Sequence, residues 1–178
     1  MTLNISDKPK DGFERVVYAE EDKFNFYSVI AIHNTKRGPA LGGCRYFNYQ
    51  DLIKQEEDVL KLAEAMTYKN SLAELPFGGG KATIHSKINK KDAYSLFGEV
   101  LNKLNGTYIT AGDMGTVDED LRGFREYSDH VCNPIGSDSG LGTALGVYYS
   151  MLGCVEFKFG QDSLAVSYTH LTLPTTSV

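Results

Sequence analysis

The chain has 178 residues, with 18 Lys and Arg against 23 Asp and Glu, so its formal net charge is −5. A domain usually takes about 100–200 residues, so this length fits one domain and is too short for a two-domain enzyme. The acidic balance gives no general attraction to nucleic-acid phosphates or to anionic membranes. Hydrophobic residues make up 42%, which is typical of a globular protein with a buried core.

The N-terminal residues have no apolar stretch of the secretory type, and no apolar run is long enough to span a bilayer. The three cysteines, Cys44, Cys132 and Cys154, are odd in number and form no Cys-x-x-Cys pair, which argues against a disulfide framework and a thiolate metal site. His130 and Cys132 are the closest pair of possible metal ligands, and the sequence offers them no third partner nearby. We therefore predict a cytoplasmic protein without a metal ion.

The predicted elements begin with two strands, because residues 24–33 and 39–47 are rich in aromatic and β-branched side chains. The segment between them is typical of a turn, so the two strands are predicted to form a hairpin. From Asp51 the apolar spacing changes to that of a helix, which should end near Asn70. Its predicted apolar face consists of Leu52, Val59, Leu62, Ala63 and Met66.

The next part of the chain predicts a loop, a strand and a helix. Pro, Phe and three Gly residues at 76–80 favour a loop, and residues 81–85 favour a short buried strand, so Lys81 should lie where the loop becomes the strand. The helix that follows has the most regular apolar spacing, and Gly106 supplies its C-terminal stop. Its predicted apolar face consists of Ala93, Leu96, Phe97, Val100, Leu101 and Leu104.

Residues 107–111 predict another strand, after which Asp113 lies in a loop just before a helix. Loops at the strand ends of α/β proteins commonly carry the chemistry. The run from Thr116 to Glu119 has the Ser/Thr-x-x-Glu form of a capping box, so the third helix should begin there and reach about Tyr127. The elements together predict an α/β fold with a mixed sheet flanked by helices.

The C-terminal part of the sequence changes in character. A last helix is predicted from about Thr143 to Phe157. Residues 163–178 contain seven Ser and Thr but no Asp, Glu, Lys or Arg, unlike the rest of the chain. This tail is either a short strand with a frayed end or a segment that is not native to the protein, and its composition favours the second interpretation.

Three segments place an ionisable group beside small or flexible residues, where a ligand can approach the backbone. One lysine in such a site can bind a substrate carboxylate, while a second, in a partly dry cleft, can act as a general base. The alternative is structural: one lysine only ends a helix, and the other pairs with a surface acid. The three segments are 66–70 with Lys69, 77–81 with Lys81, and 110–116 with Asp113.

Two nucleotide-binding motifs do not match. The P-loop pattern fails because Leu75 stands at its leading position and Ala82, without a hydroxyl, follows Lys81. The dinucleotide pattern G-x-G-x-x-G fails at Gly140, because Leu145 takes the place of the third glycine. We therefore predict no dinucleotide site within this sequence.

Five segments, in this order and spacing, resemble the N-terminal domain of the glutamate, leucine, phenylalanine and valine dehydrogenases, and most of all its leucine branch. The resemblance covers residues 12–164 and implies the substrate-binding and oligomerisation domain of these enzymes. It leaves 165–178 as a non-native-looking tail, and we expect the NAD-binding domain that follows in the family to be absent from these 178 residues. The five segments are GPALGGCR (38–45), MTYKN (66–70), GGGK (78–81), TAGDMGT (110–116) and TALGVYYSM (143–151).

The resemblance implies roles for individual residues. Lys69 would hold the substrate α-carboxylate, Lys81 would be the catalytic base, and Asp113 would move protons to and from the amino group. In the implied reaction, hydride leaves the α-carbon for NAD⁺, Lys81 activates a water that attacks the iminium, and ammonia departs. The implied substrate-binding residues are completed by Leu41, Gly42, Gly43, Met66 and Thr143.

Position 41 bears on the substrate class. Glutamate-specific members carry a lysine there, whereas Leu41 would leave a substrate side-chain carboxylate buried without a partner. The resemblance therefore implies an NAD-dependent, homo-oligomeric dehydrogenase that converts an apolar, branched-chain L-amino acid such as L-leucine to its 2-oxo acid and ammonia. Two other functions stay open: a free-standing module that binds amino acids or 2-oxo acids, and a structural subunit of an oligomer.

Residues 1–178 alone are expected to be inactive, because the resemblance places the NAD-binding domain outside them. The purified chain, mixed with NAD⁺ and L-leucine, should show no rise in NADH absorbance. Clear turnover would contradict this expectation. Tight and specific binding of branched-chain 2-oxo acids in calorimetry would instead indicate the binding module.

Overall fold

The computed structural model describes residues 2–132 and 139–164. The chain divides into two compact units, one up to residue 135 and one from residue 136 onward. The first unit holds the strands β1 (Asn4–Asp7), β2 (Arg15–Glu21), β3 (Phe26–Asn34), β4 (Ala40–Phe47), β5 (Gly78–His85) and β6 (Tyr108–Gly112). It also holds the helices α1 (Leu52–Leu72), α2 (Lys90–Leu104) and α3 (Asp118–Arg125), while α4 (Ser139–Phe159) belongs to the second unit.

The strands form one mixed sheet in the order β1-β2-β3-β5-β4-β6. The neighbours from β1 to β5 pair antiparallel, and β4 runs parallel to both β5 and β6. Helix α1 connects β4 to β5, and helix α2 connects β5 to β6. The joined strands run parallel, and a connection between parallel strands usually contains a helix. The predicted α/β fold, a mixed sheet with flanking helices, is therefore confirmed.

The predicted hairpin of residues 24–33 with 39–47 is wrong, because β5 lies between β3 and β4. All eight residues of β5 are buried, which is typical of a central strand with a neighbour on each side. Its register pairs Ala31 with Lys81 on one side and Leu41 with Gly79 on the other. The short connection from β3 to β4 therefore does not make these strands neighbours, because the fully buried strand β5 lies between them.

Strands β1 and β2 were not predicted. β1 is an edge strand with mostly exposed residues, and four consecutive residues of β2 are buried, so neither strand has the simple alternation of apolar and polar residues. β2 forms the hairpin with β3 through a short 3₁₀ turn, Asp22–Phe24, which ends at Asn25 in the left-handed region. The hairpin partner of β3 is therefore the strand before it in sequence.

The two faces of the sheet bury different side chains, because successive residues of a strand point to opposite faces. Helix α1 covers one face of the sheet. Thr83 points to this face, because the Thr83 Oγ1 lies 3.1 Å from Nε2 of Gln55 on α1. Lys81 points to the same face because it lies two residues from Thr83. Helix α2 covers the opposite face, where Ala82 and Ile84 join the larger apolar cluster.

The predicted apolar face of α2 is confirmed, since all six of its residues are buried. The predicted face of α1 is correct for Val59 and Ala63, but Leu52 is 46% exposed, and Leu62 and Met66 are only half-buried. Two polar residues of α1 are fully buried instead, Gln55 and Asn70. Their side chains bond to strand backbone and side chains, a possibility that apolar spacing does not show.

The predicted capping box at Thr116 is wrong, because α3 begins one residue later, with Val117 as its N-cap. The carboxylate of Asp120 accepts a hydrogen bond of 2.9 Å from the Val117 backbone N–H. Thr116 is used differently: its Oγ1 donates to the carbonyl of Cys44 at 2.7 Å and accepts from the backbone N–H of Asp113 at 2.8 Å. The side chain that resembled a helix cap thus holds the loop that carries Asp113.

The second unit contains the predicted last helix, which begins a little before the predicted start at Thr143 and ends at Phe159. The predicted tail, 165–178, lies outside the described residues. Among the described residues, no helix is long and apolar enough to cross a membrane. In the same ranges, no three His, Cys, Asp or Glu side chains lie together as possible metal ligands.

Phe97→Ala is expected to lower the free energy of unfolding by about 3–5 kcal/mol, because Phe97 is fully buried and its ring packs 5.0 Å from that of Phe124. Urea unfolding measures the loss. Leu72→Ala is the control, since Leu72 is 86% exposed and its truncation should change stability by less than about 0.5 kcal/mol. Equal losses in the two variants would contradict the assignment of the core.

Candidate active site

Lys81 lies in the middle of the central strand β5, on the face that α1 covers. Its side chain is only 6% exposed, and a buried charge requires a partner. The partner is Asp113, whose Oδ1 lies 3.0 Å from Lys81 Nζ. The two residues to which the sequence assigned proton transfer therefore form a direct ion pair.

Asp113 follows the last residue of β6, in the loop that leads to α3. Thr116 fixes this loop to β4 through the two hydrogen bonds given above. Gly43 of β4 leaves room for the aspartate, because a Cβ added there would lie 2.7 Å from the Cβ of Asp113. The close approach of strands β4 and β6 thus brings Asp113 over the sheet, next to Lys81.

Arg45 of β4 is the second cation on Asp113, and no role was predicted for it from the sequence. Its Nε donates to Asp113 Oδ2 at 2.8 Å, and its other end donates to Asp58 on helix α1 at 2.8 Å. Strand alternation was the signal that could have found it, since Arg45 is two residues beyond Gly43 and so shares its face of β4. The Asp58 position carried no comparable signal.

The electrostatics favour an ionised Asp113. Burial by itself would raise the pKa of this carboxyl group, but the hydrogen bonds and positive charges of Arg45 and Lys81 together outweigh burial and hold the pKa below its usual value. The thiol of Cys44, between Gly43 and Arg45, points to the opposite face of the sheet, where it is fully buried, and burial raises its pKa far above the usual value. The site therefore contains a carboxylate between two cations.

Lys69 lies in the last turn of α1 and is exposed to solvent. The end of that helix is fixed over the sheet by the next residue, Asn70, whose amide donates to the carbonyls of Gly78 at 2.6 Å and of Leu41 at 3.2 Å. At Gly79 an added Cβ would overlap the backbone and hydroxyl of Thr67, so only glycine permits this approach of helix and strand. The helix end with Lys69 therefore lies over the start of β5.

The other predicted substrate-binding residues lie in two places. Leu41 and Met66 are half-buried on β4 and α1, while Gly42 and Gly43 are buried in β4. These four residues belong to the same unit as Lys81. Thr143 lies on α4 in the second unit, so its part in the site stays a prediction.

The sequence of residues 14–129 matches the family model described as Glu/Leu/Phe/Val dehydrogenase, dimerisation domain. This chain belongs to that family. Leucine dehydrogenase of Bacillus subtilis (strain 168) is 39% identical over 163 residues, which are 87% of this chain and 45% of the relative. Phenylalanine dehydrogenase of Thermoactinomyces intermedius is also 39% identical, over 86% of this chain and 44% of the relative.

The fold is shared as well. The crystal structure of L-tryptophan dehydrogenase from Nostoc punctiforme matches with a TM-score of 0.67 and 30% sequence identity, over 85% of this chain and 43% of that one. The resemblance found in the sequence is thereby confirmed. The chain spans less than half the length of these relatives, and their names include leucine, phenylalanine and tryptophan, so the comparisons do not single out one substrate.

Asp113→Asn is expected to lower the free energy of unfolding by about 3 kcal/mol at pH 7, because it leaves the buried Lys81 without its counter-charge. The pKa of Asp113 is lowered in the folded state, so its stabilising effect is complete above the ordinary pKa of about 4 and is lost as pH falls through the folded value. The difference between wild type and variant should therefore shrink below about pH 4.

Urea unfolding at several pH values measures this difference. Asp7→Asn is the control, because Asp7 pairs with Arg15 on the surface, where such pairs contribute about 0–1 kcal/mol. A cost of Asp113→Asn that does not change with pH would contradict the assignment.

Proposed function

We propose that this chain is the substrate-binding part of an NAD-dependent L-amino acid dehydrogenase, acting on an apolar amino acid such as L-leucine to give the 2-oxo acid and ammonia. The buried ion pair of Lys81 and Asp113 carries this proposal. Family membership supports it, because the relatives named above are amino acid dehydrogenases. Residues 12–164 would form the substrate-binding and oligomerisation domain.

Lys81 is suited to be the general base. Its Nζ is within hydrogen-bond distance of Asp113 Oδ1, so a proton can pass from the ammonium group to the carboxylate and leave a neutral amine. Once hydride has left the α-carbon and an iminium has formed, that amine can take a proton from a water molecule as the water attacks the iminium carbon. Asp113 can then return the proton to the amino group that leaves as ammonia.

Lys69 is suited to bind the substrate carboxylate, because it is exposed in the last turn of α1, next to Asn70, whose side chain bonds to the start of β5. A cation there attracts the α-carboxylate and orients the α-carbon toward Lys81. Leu41 on β4 and Met66 on α1 are half-buried and apolar, so they favour an apolar substrate side chain. A glutamate side chain would find no cation at position 41.

The dinucleotide-binding motif is missing from the strand-to-helix connections that the structure describes. None of the strand-to-helix connections among residues 2–132 carries a G-x-G-x-x-G sequence, which would cradle a pyrophosphate at a helix N-terminus. We propose that NAD, the hydride acceptor, is bound mainly by residues outside these ranges. We also propose a homo-oligomer, which the description of the family model as a dimerisation domain supports.

A chimera tests the proposal. Residues 1–164 are joined to the C-terminal half of the Bacillus subtilis leucine dehydrogenase, and NADH formation is measured with L-leucine and with L-glutamate. We expect turnover with L-leucine only. Lys81→Met should lower kcat by about 10²–10⁴-fold, the usual contribution of a general base.

Lys87→Met is the matched control, because Lys87 is an exposed lysine just after β5 and should be dispensable. Equal activity of the Lys81→Met and parent chimeras would overturn the role of the base. A folded parent chimera without turnover would overturn the proposed function.

A further inference from the structure

Arg45 connects the candidate catalytic pair to helix α1. Its Nε donates to Asp113 Oδ2 at 2.8 Å, and its terminal nitrogen donates to both oxygens of Asp58 at 2.8 and 3.1 Å. The guanidinium group is largely buried, with 18% of the side chain exposed. Arg45 therefore bridges two carboxylates that come from different elements.

Asp58 is itself held in place. The hydroxyl group of Tyr49 donates to its Oδ2 at 2.7 Å, and the Tyr49 ring is buried in edge contact with Phe47 and His85. A guanidinium group is planar and rigid, so fixing one end of it also fixes the direction of the other. One end of Arg45 is thus held by Asp58 on α1, whose carboxylate Tyr49 also holds, apart from its contact with Asp113.

The charges in this network alternate along the chain of contacts, from Lys81 to Asp113 to Arg45 to Asp58. Two cations and two carboxylates give no net charge. Asp113 already has a counter-charge in Lys81, and Arg45 has one in Asp58. Charge balance therefore does not require a contact between Arg45 and Asp113. What the contact adds is a hydrogen bond that fixes the orientation of the Asp113 carboxylate.

We propose that Arg45 is a positioning residue of the active site: by holding Oδ2 of Asp113, it directs Oδ1 toward Nζ of Lys81. A carboxylate is free to rotate about its last bond, because that torsion is broad and roughly two-fold. With Oδ2 held by Arg45, only Oδ1 exchanges a proton with Lys81. The catalytic meaning of this arrangement rests on the proposed function, while the positioning itself does not.

The test is a ¹³C NMR titration of the Asp113 carboxyl group in the 178-residue chain. Arg45→Lys keeps the charge, but one ammonium group cannot replace the rigid fork between two carboxylates. Arg45→Met with Asp58→Asn removes the bridge without changing the net charge. We expect the pKa of Asp113 to rise in both variants. We also expect the Lys81 ammonium protons, observed at low temperature, to exchange faster with water than in the wild type.

Other groups near Asp113 do not confuse the titration. The hydroxyl group of Tyr49 reaches the network through Asp58, while the thiol of Cys44 and the hydroxyl group of Tyr108 lie in the apolar cluster on the opposite face of the sheet, and burial raises the pKa of each. They therefore stay neutral while the carboxyl groups titrate. Asp58 faces the site from α1, and the Asp58→Asn single variant identifies which carboxyl signal belongs to Asp113.

The outcomes are distinct. If Arg45→Lys, shown by ¹⁵N spectra to be folded, titrates like the wild type, the proposal is overturned, because charge alone then suffices. If the double variant leaves the Asp113 titration unchanged, the proposal is overturned as well. Should Arg45→Lys fail to fold, the double variant decides alone, and Asp58→Asn is the check on its folding.

Kinetics in the chimera give an independent measurement. Arg45→Lys should lower kcat by about 10–100-fold with little change in KM, because it misplaces Asp113 and not the substrate. An unchanged kcat would overturn the proposal. A parent chimera without turnover would overturn the proposed function only, and the titration would still decide the role of Arg45.

Discussion

The structure of the first unit depends on the burial of one ammonium group. Lys81 lies in a strand whose eight residues are all buried, and its side chain is 6% exposed. An unpaired charge there would cost several kcal/mol. Asp113 reaches it only because the loop after β6 is fixed to β4 through Thr116, and because Gly43 leaves space for it. The strand order, this loop and Gly43 together bring Asp113 within reach of Lys81.

Helix α1 completes the site by covering the same face of the sheet. Polar side chains set its position: Gln55 bonds to Thr83 in the middle of β5, and Asn70 bonds to Gly78 at its start. The end of the helix that carries Lys69 thereby lies over the start of β5, and its first half presents Asp58 to Arg45. A single helix thus contributes both to the proposed binding of substrate and to the placement of the proposed catalytic pair.

Prediction from sequence succeeded where local pattern and tertiary contact agree. In α2 the apolar residues repeat at helical spacing and pack on the sheet, so the whole predicted face is buried. It failed where a polar residue makes a tertiary contact. Gln55 is buried in α1 while Leu52 is exposed, and Thr116 bonds to Cys44 where a helix cap was predicted. Apolar spacing carries no information on hydrogen bonds between elements.

The sequence by itself determined the family, the α/β class and the identity of Lys69, Lys81 and Asp113 as candidate site residues, because motifs and periodicity are local properties of the chain. Only the tertiary structure decided that β5 separates β3 from β4, and that Arg45 bridges Asp113 to Asp58. Those contacts join residues far apart in sequence. They form because a central strand must bury both of its faces, and because the charge buried there must be paired.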